Sequence, residues 1–590
     1  MPITRNLTAD VLVVGGGTGG TAAALQAARA GANTILVSEG PWLGGMLTAA
    51  GVSAPDGNEL LPLQTGIWGA FLRSLQQGSS LSHGWVSCFT FLPATGAAIF
   101  AQWARALPNL QWIAGHHPRG VRRQGDRITG VEFEDFAVEA SITIDATELG
   151  DLLALGEVPH RWGWEWQAQW QEPSAPPSAT DLTRRHPVQS PTWIVTMQDF
   201  GETKAPEIPA PPNYNADRYR GAWEGYGSAK FLDYGRLPQE RMMINWPQRG
   251  NDYCQGLERL VGDGAARRQC LQEMRWHSQG FAHFIQAQLG RRYGLAADTF
   301  PTLEGGIGGA YALRPYYRES RRMQGLTTVR EQDILPGAQG TAALPVNPEG
   351  LVDSIAVGNY ANDHHYAGDK FPVAGKSRRW GGRTVGTPFT IPYRALVPQQ
   401  VEGLLVAEKN ISVSHIANGA TRLQPLVLGI GQAAGMAAAL CCQRGCQPHE
   451  LPVRSLQGAL LSDKTAPAAV VPLLNRVPQD PQWRQQQEAV LDSPEDYEQR
   501  WTAPAGDYEL EPRGTTLTGR LRKRGTPEYG LVTTEYKLFT LITLAPQVNA
   551  QLQALEDGEP VTVVGEYNPA GEWFTVDRLR SQNPDTYAIV

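Results

Sequence analysis

Two sets of residues in this chain have the types and spacing that chemistry requires. The first is a run of glycines: Gly15, Gly17 and Gly20 keep a G-x-G-x-x-G spacing, and Glu39 lies 19 residues beyond Gly20. The first glycine permits a tight turn, the second lets a diphosphate approach the backbone, and the third lets a helix pack on the preceding strand. The diphosphate then rests at the helix N-terminus, beside Thr18 and Gly19, where free N–H groups favour an anion. Glu39 can accept hydrogen bonds from an adenosine ribose and would repel a 2'-phosphate, so FAD or NAD is favoured over NADP. The second set is titratable. His364, His365 and His415 can carry a proton near neutral pH, and Arg318, Arg321, Arg322, Arg394 and Arg422 can hold a carboxylate through two parallel hydrogen bonds. Tyr360 and Tyr393 can orient a ring or move a proton. Each type also has a purely structural use: a histidine in a fixed hydrogen bond, an arginine in a salt bridge, a tyrosine in the core.

The glycines are positioned by a strand at Val11 to Val14, an alanine-rich helix and a second strand at Thr34 to Val37. Helical spacing follows at Gly66 to Gln77 and Thr95 to Leu107. Short strands are predicted at Gln111 to Ala114, Gly120 to Arg123, Arg127 to Phe133 and Ser141 to Asp145. Residues 160 to 215 change character, with Trp162, Trp164, Trp166 and Trp170 followed by many prolines. Such tryptophans fill a strand face, anchor a loop or wall a substrate. A long amphipathic helix is expected over Gly264 to Arg292. Near the far end, Pro425 pre-sets a helix start, and Gly429, Gly431 and Gly435 permit close packing.

A chain of 590 residues is too long for a single core. A hydrophobic content of 42% with 18% charged residues describes an ordinary α/β protein, and a formal charge of −7 excludes a basic nucleic-acid footprint. The six cysteines lack C-x-x-C spacing, so neither a disulfide framework nor a metal site is expected. The first residues lack the pattern of a signal peptide, and no 18-residue apolar stretch is expected to span a bilayer. A reducing, cytoplasmic setting is therefore expected. Beyond Leu460, a charged helical segment at Pro481 to Trp501 leads into a tail that alternates like a small β-barrel from Asp507 to Leu579, OB-like in pattern. Acidic residues outnumber basic ones in that tail, which argues against a nucleic-acid groove.

Gly44-Gly45-Met46-Leu47-Thr48 resembles the G-G-x-x-T stretch of FAD-dependent oxidoreductases of the glutathione-reductase-like superfamily. Further motifs follow in the order of that family: R-E-S-R-R at 318–322, an aspartate-histidine pair at Asp363 to His365, I-P-Y-R-x-L-x-P at 391–398, and N-x-S-x-S-H-x-A at 410–417 with G-Q-A-A-G at 431–435. Ile144-Asp145-Ala146-Thr147 resembles the strand ending whose A-T-G turn closes over the adenosine. The sequence departs from the family twice: Glu148-Leu149 stands inserted before Gly150-Asp151, and the usual A-G-R before the asparagine is Ala407-Glu408-Lys409. The resemblance covers about residues 8 to 460 and implies FAD as cofactor. It implies FAD contacts from Gly44, Gly45, Met46, Thr48, Asp145, Ala146, Thr147, Asn410, Gln424, Pro425, Gly429 and Gln432, beside Gly15, Gly17, Thr18, Gly19, Gly20 and Glu39. The positive end of the helix after Pro425 can face the flavin and stabilise negative charge on the reduced ring; packing alone is the rival reading.

The resulting expectation is an α/β chain. A Rossmann-like FAD-binding domain (1–159 and 301–460) carries an inserted α+β substrate or cap domain (160–300), a helical linker (461–505) and a small C-terminal β-barrel of OB-like pattern (506–590). Its expected activity is oxidation or reduction of a small organic molecule through non-covalent FAD, with His364, His365, His415, Arg318, Arg422 and Tyr393 as catalytic candidates and no metal. Electrons would leave to oxygen, a quinone or a protein carrier. The alternative is a scaffold in which FAD is structural and the tail is an interaction module.

Overall fold

The computed structural model describes residues 5–78, 80–337, 340–502, 514–525 and 528–581. The expected boundary near 505 and the start of the tail at Asp507 lie outside the described residues.

The glycine cluster joins β1 (Arg5–Val14) to α1 (Thr18–Arg29), and β2 (Thr34–Ser38) follows. After α2 (Gly66–Gln77) and α3 (Pro93–Arg105) come β3 (Leu110–Ala114), β4 (Gly120–Gln124), β5 (Arg127–Glu132) and β6 (Phe136–Asp145). β3, β2, β1, β6 and the strand Leu404–Val406 lie side by side and parallel. This is a Rossmann-like arrangement, and it aligns the C-terminal ends of β1 and β6 beside the glycine turn. β6 begins earlier than the apolar run from Ser141 suggests. Its first half pairs with both β1 and β5, so backbone pairing extends it across the less apolar residues 136–140.

The helix Gln424–Arg444 is the second element that builds the site. It starts with proline in its first turn and ends at Gly445, whose φ of +64° only glycine adopts without strain. Its small residues meet α1: a Cβ on Gly431 would fall onto Gly19 O, and one on Gly435 onto Ala23 O. By length and composition this helix could cross a bilayer, contrary to the expectation of no such stretch. In the fold 83% of its apolar window is buried, so the apolar residues serve close packing between two helices.

A second, antiparallel sheet is ordered Tyr293–Leu295, Val195–Asp199, Arg241–Ile244, Arg236–Leu237. The helix Gly264–Leu289, capped by Asp263, packs beside it and stops at Gly290, where φ is +89°. A third sheet joins Ser354–Tyr360, Arg383–Pro392 and Ser377–Trp380. The strands Thr515–Lys523, Tyr529–Thr533, Leu538–Ile542, Pro560–Asn568 and Trp573–Ser581 close into a barrel. The barrel docks on the rest of the chain through backbone bonds from Leu61 N–H to Leu544 O and from Thr543 N–H to Gly381 O, both under 3 Å long at 2.9 and 2.8 Å.

Candidate active site

The glycine turn is built for close backbone approach. Gly15 has φ +110°, and a Cβ there would fall onto Ala146 O at the end of β6. A Cβ on Gly20 would fall onto Gly15 O, so helix and strand touch. The Gly44-Gly45 loop is fastened over the same end of α1: Thr18 Oγ1 donates to Gly44 O at 3.0 Å, and Met46 N–H donates to Thr18 Oγ1 at 3.0 Å. Gly44 N–H donates to Thr21 Oγ1, and Thr48 Oγ1 to Leu43 O. Glu39 follows β2 and pairs with Arg314 at 3.4 Å.

The anion position at the start of α1 is held by a side chain. Gly19 N–H donates to Glu408 Oε1 at 2.7 Å, and a Cβ on Gly17 would fall onto that same oxygen. Lys409 Nζ lies 3.0 Å from Glu408 Oε2 and 2.6 Å from Glu148 Oε2. The two places where the sequence departs from the family motifs therefore meet in one buried cluster.

Several residues expected at the cofactor are engaged in holding the chain. Asp145 Oδ1 accepts from Thr147 N–H and Thr147 Oγ1, and its Oδ2 from Leu153 N–H; burial pushes its carboxyl up to about 7. Asn410 donates from Nδ2 to Asp145 O and accepts at Oδ1 from Glu408 N–H. Gln432 accepts from Ile67 N–H and donates to Gln26 Oε1 and Ala466 O, which ties α1 and α2 to the Gln424 helix. Gly429 has only ordinary packing on Ala356. Gln424 is different: its Oε1 is buried without a partner, at the helix start beside Pro425.

The catalytic candidates separate into three places. His365, Arg318 and Arg422 line a narrow cavity together with Asp56, Asp363, Tyr316, Tyr360, Leu423 and Gln424. His365 is clamped between carboxylates, with Nδ1 2.8 Å from Asp252 Oδ2 and Nε2 2.8 Å from Asp363 Oδ2. Burial and Arg318 depress its pKa, but Asp363 and Asp252 outweigh them and raise it. Burial raises Asp252, yet Arg318 and His365 bring it down to about 2; for Asp363, His365 and Arg422 likewise outweigh burial and hold the carboxyl well below the usual range. Arg318 donates to Ser190 O, Thr192 Oγ1 and Asn245 Oδ1, and Arg422 to Tyr316 OH and Asp363. The Nε of each arginine is buried without a partner.

His364 and His415 lie in a sealed chain instead. Tyr366 OH is 2.8 Å from His364 Nδ1 and 2.7 Å from His415 Nε2. His415 Nδ1 meets Glu319 Oε1 at 2.9 Å, and Arg322 pairs with Glu319 and Glu165. Trp164 covers His415 with ring centroids 4.0 Å apart. Burial first, then the His415 charge, lowers His364 to about 3. Tyr393 is in neither place: its hydroxyl donates to Pro448 O in the core. Arg321 and Arg322 lie outside the cavity as well, the former bound to Leu149 O and Asp151.

Asp56 is a cavity residue that the sequence reading did not single out. It sits in Ala54-Pro55-Asp56-Gly57, which reads as a turn, and no spacing marks it. Burial, then the nearby Glu59 and Asp363, push its carboxyl up to about 8, against the opposing Arg422 and Arg383.

A family model described as FAD dependent oxidoreductase matches residues 10–460. The chain belongs to this family. It is an oxidoreductase and its cofactor is FAD. No curated protein matches the chain. Among solved structures, a geranylgeranyl bacteriochlorophyll reductase-like protein from Thermoplasma acidophilum matches 86% of this chain and 94% of its own at 10% identity, with a TM-score of 0.31. The E. coli quinol fumarate reductase FrdA matches 78% of this chain and 76% of its own at 12% identity and TM-score 0.28. T. acidophilum thioredoxin reductase matches 28% of this chain at 19% identity and TM-score 0.17, and the chain spans 40% of that protein's length.

The donor set of this FAD dependent oxidoreductase fits the cofactor's diphosphate, because Gly19 N–H already holds an oxyanion, the Glu408 carboxylate. The unpartnered Gln424 Oε1 and the start of the Gln424 helix border the cavity, 405 residues along the chain from Gly19.

Proposed function

We propose that this oxidoreductase acts on a small organic monoanion, a carboxylate, bound in the cavity beside the Gln424 helix. One observation carries the reading: Arg318, Arg422 and His365 meet at one cavity beside the carboxylates of Asp252 and Asp363, and the Nε of each arginine is buried without a partner. With His365 favoured as a cation by its two carboxylates and Asp56 pushed up to about 8, this arrangement favours a balance of one positive charge. A buried net charge is expensive unless an opposite charge joins it, so a single carboxylate is favoured over a neutral molecule or a dianion.

FAD, bound non-covalently with its diphosphate at α1, would supply the two-electron acceptor or donor. The protein's own contribution is positional and protic. Arg318 and Arg422 would orient the carboxylate through their guanidinium forks. His365 has both ring nitrogens committed to carboxylates, so it supplies charge and rigidity. Asp56, whose carboxyl titrates near 8, would hold or release the proton that accompanies electron transfer.

The test is anaerobic mixing of the FAD-loaded protein with small carboxylic acids and their methyl esters, read by bleaching of the flavin absorbance or, after prior reduction, by its return. Acids that react where their esters do not support the reading; equal reaction of both overturns it. A second reading, the barrel as a docking module for an electron-carrying protein, is favoured by its exposed Tyr536, Leu538 and Tyr567. Removal of all three side chains would then slow electron exit and leave the anaerobic half-reaction unchanged.

A further inference from the structure

The cradle at the start of α1 already contains a carboxylate. Glu408 Oε1 accepts the Gly19 N–H at 2.7 Å, one of the four N–H groups a helix leaves free at its start. The same oxygen fills the space that the missing side chain of Gly17 leaves open. Glu408, Lys409 and Glu148 are all buried and form a closed ion cluster, with Arg314 3.8 Å from Glu148.

We propose that Glu408 is an internal competitor of FAD: its carboxylate and the cofactor's diphosphate use the same backbone donor, so FAD enters only when the Glu408 side chain leaves the cradle. The physical reason is exclusion first and charge second. One N–H cannot serve two oxyanions in the same space. A diphosphate beside Glu408 and Glu148 would also bring four negative charges against Lys409 and Arg314 alone, in a region where water cannot screen them. Lys409 keeps its partner Glu148 when Glu408 departs, so the cost of opening is the loss of the Gly19 contact and of one side of the ion cluster. Those losses are offset by the diphosphate's own bonds. The departure from the family's A-G-R motif thus acts as a latch on cofactor uptake. The inference rests on FAD as cofactor and is independent of the carboxylate substrate.

In such a device the apparent dissociation constant of FAD is the intrinsic one divided by the fraction of molecules with the cradle open. The full chain is stripped of flavin, and FAD is titrated back while quenching of its fluorescence is followed, with wild type, Glu408→Ala and Glu408→Gln compared. Glu408→Ala should bind FAD at least about tenfold more tightly, with Glu408→Gln between the two, because an uncharged amide of the same shape holds the N–H less strongly. Without FAD, Glu408→Ala should melt earlier than wild type, and saturation with FAD should raise its melting temperature by more. Equal or weaker FAD binding by both variants, in protein that still melts cooperatively, overturns the latch while leaving FAD as cofactor. Absence of FAD binding in all three proteins overturns both.

Discussion

His364 and His365 are neighbours in sequence and opposites in environment. His364 belongs to a sealed chain through Tyr366, His415 and Glu319, in which every ring nitrogen has a protein partner and burial keeps His364 neutral. His365 lies between two carboxylates at a cavity wall, beside two arginines with unused donors. The contrast teaches that a histidine's chemistry is decided by what remains unsatisfied around it. A fully satisfied network fixes the fold. A network with spare donors and a net charge is prepared for a ligand.

The largest expected effect lies in the sealed chain. His415→Ala takes one partner each from the buried Glu319 carboxylate and the Tyr366 hydroxyl and leaves a hole under Trp164, at a cost of about 3 kcal/mol of stability, read from denaturant unfolding. Turnover of the folded fraction should be little changed, and a large loss of turnover with unchanged stability would break the comparison. The next effect lies in the cavity. Asp56→Asn should keep FAD, lower turnover by about a hundredfold and remove the limb of the pH profile near 8, because the amide cannot exchange the proton.

The smallest effect is on stability. The Asp56 carboxyl titrates near 8 in the fold against an ordinary value of 3.8. Between those values the folded chain binds one more proton than the unfolded chain, so this group's contribution falls as pH rises. The melting temperature of Asp56→Asn should therefore gain on wild type from about pH 4 to about pH 8 and then level off. A gap that stays constant over that range would show that the fold does not raise the Asp56 pKa.

The glycine turn and its parallel sheet were legible because their spacing has one geometric use: Gly15, Gly17 and Gly20 each face backbone or an anion at contact distance. The family motifs located Arg318, His364, His365 and His415 but not their division between the cavity and the hydrogen-bonded chain around Tyr366. In Asp363-His364-His365 the two histidines turn to different neighbours, Tyr366 and Ile416 for one and Asp252 and Asp363 for the other, and no pattern of residue types reports which neighbours those are. Asn410 and Gln432 stand in motifs that imply cofactor contact, yet their amide groups are consumed by the neighbouring Glu408 N–H and by Asp145, Ile67 and Gln26, the last three distant in sequence. Asp56 was hidden because the cavity it lines is walled by Tyr234, Tyr316, Tyr360 and Arg422, all more than a hundred residues away. Glu148 and Glu408 were visible as departures, but their joining through Lys409 required the fold.

The most direct measurement compares Arg422→Gln with His415→Gln in one anaerobic half-reaction, with FAD-loaded protein and the most effective small carboxylate. Removal of a buried charged partner of the ligand should raise the concentration of acid needed for half-maximal flavin reaction about a hundredfold in Arg422→Gln, with His415→Gln within a few-fold of wild type. A normal response from Arg422→Gln together with a failing His415→Gln would place the chemistry in the sealed chain and contradict the account.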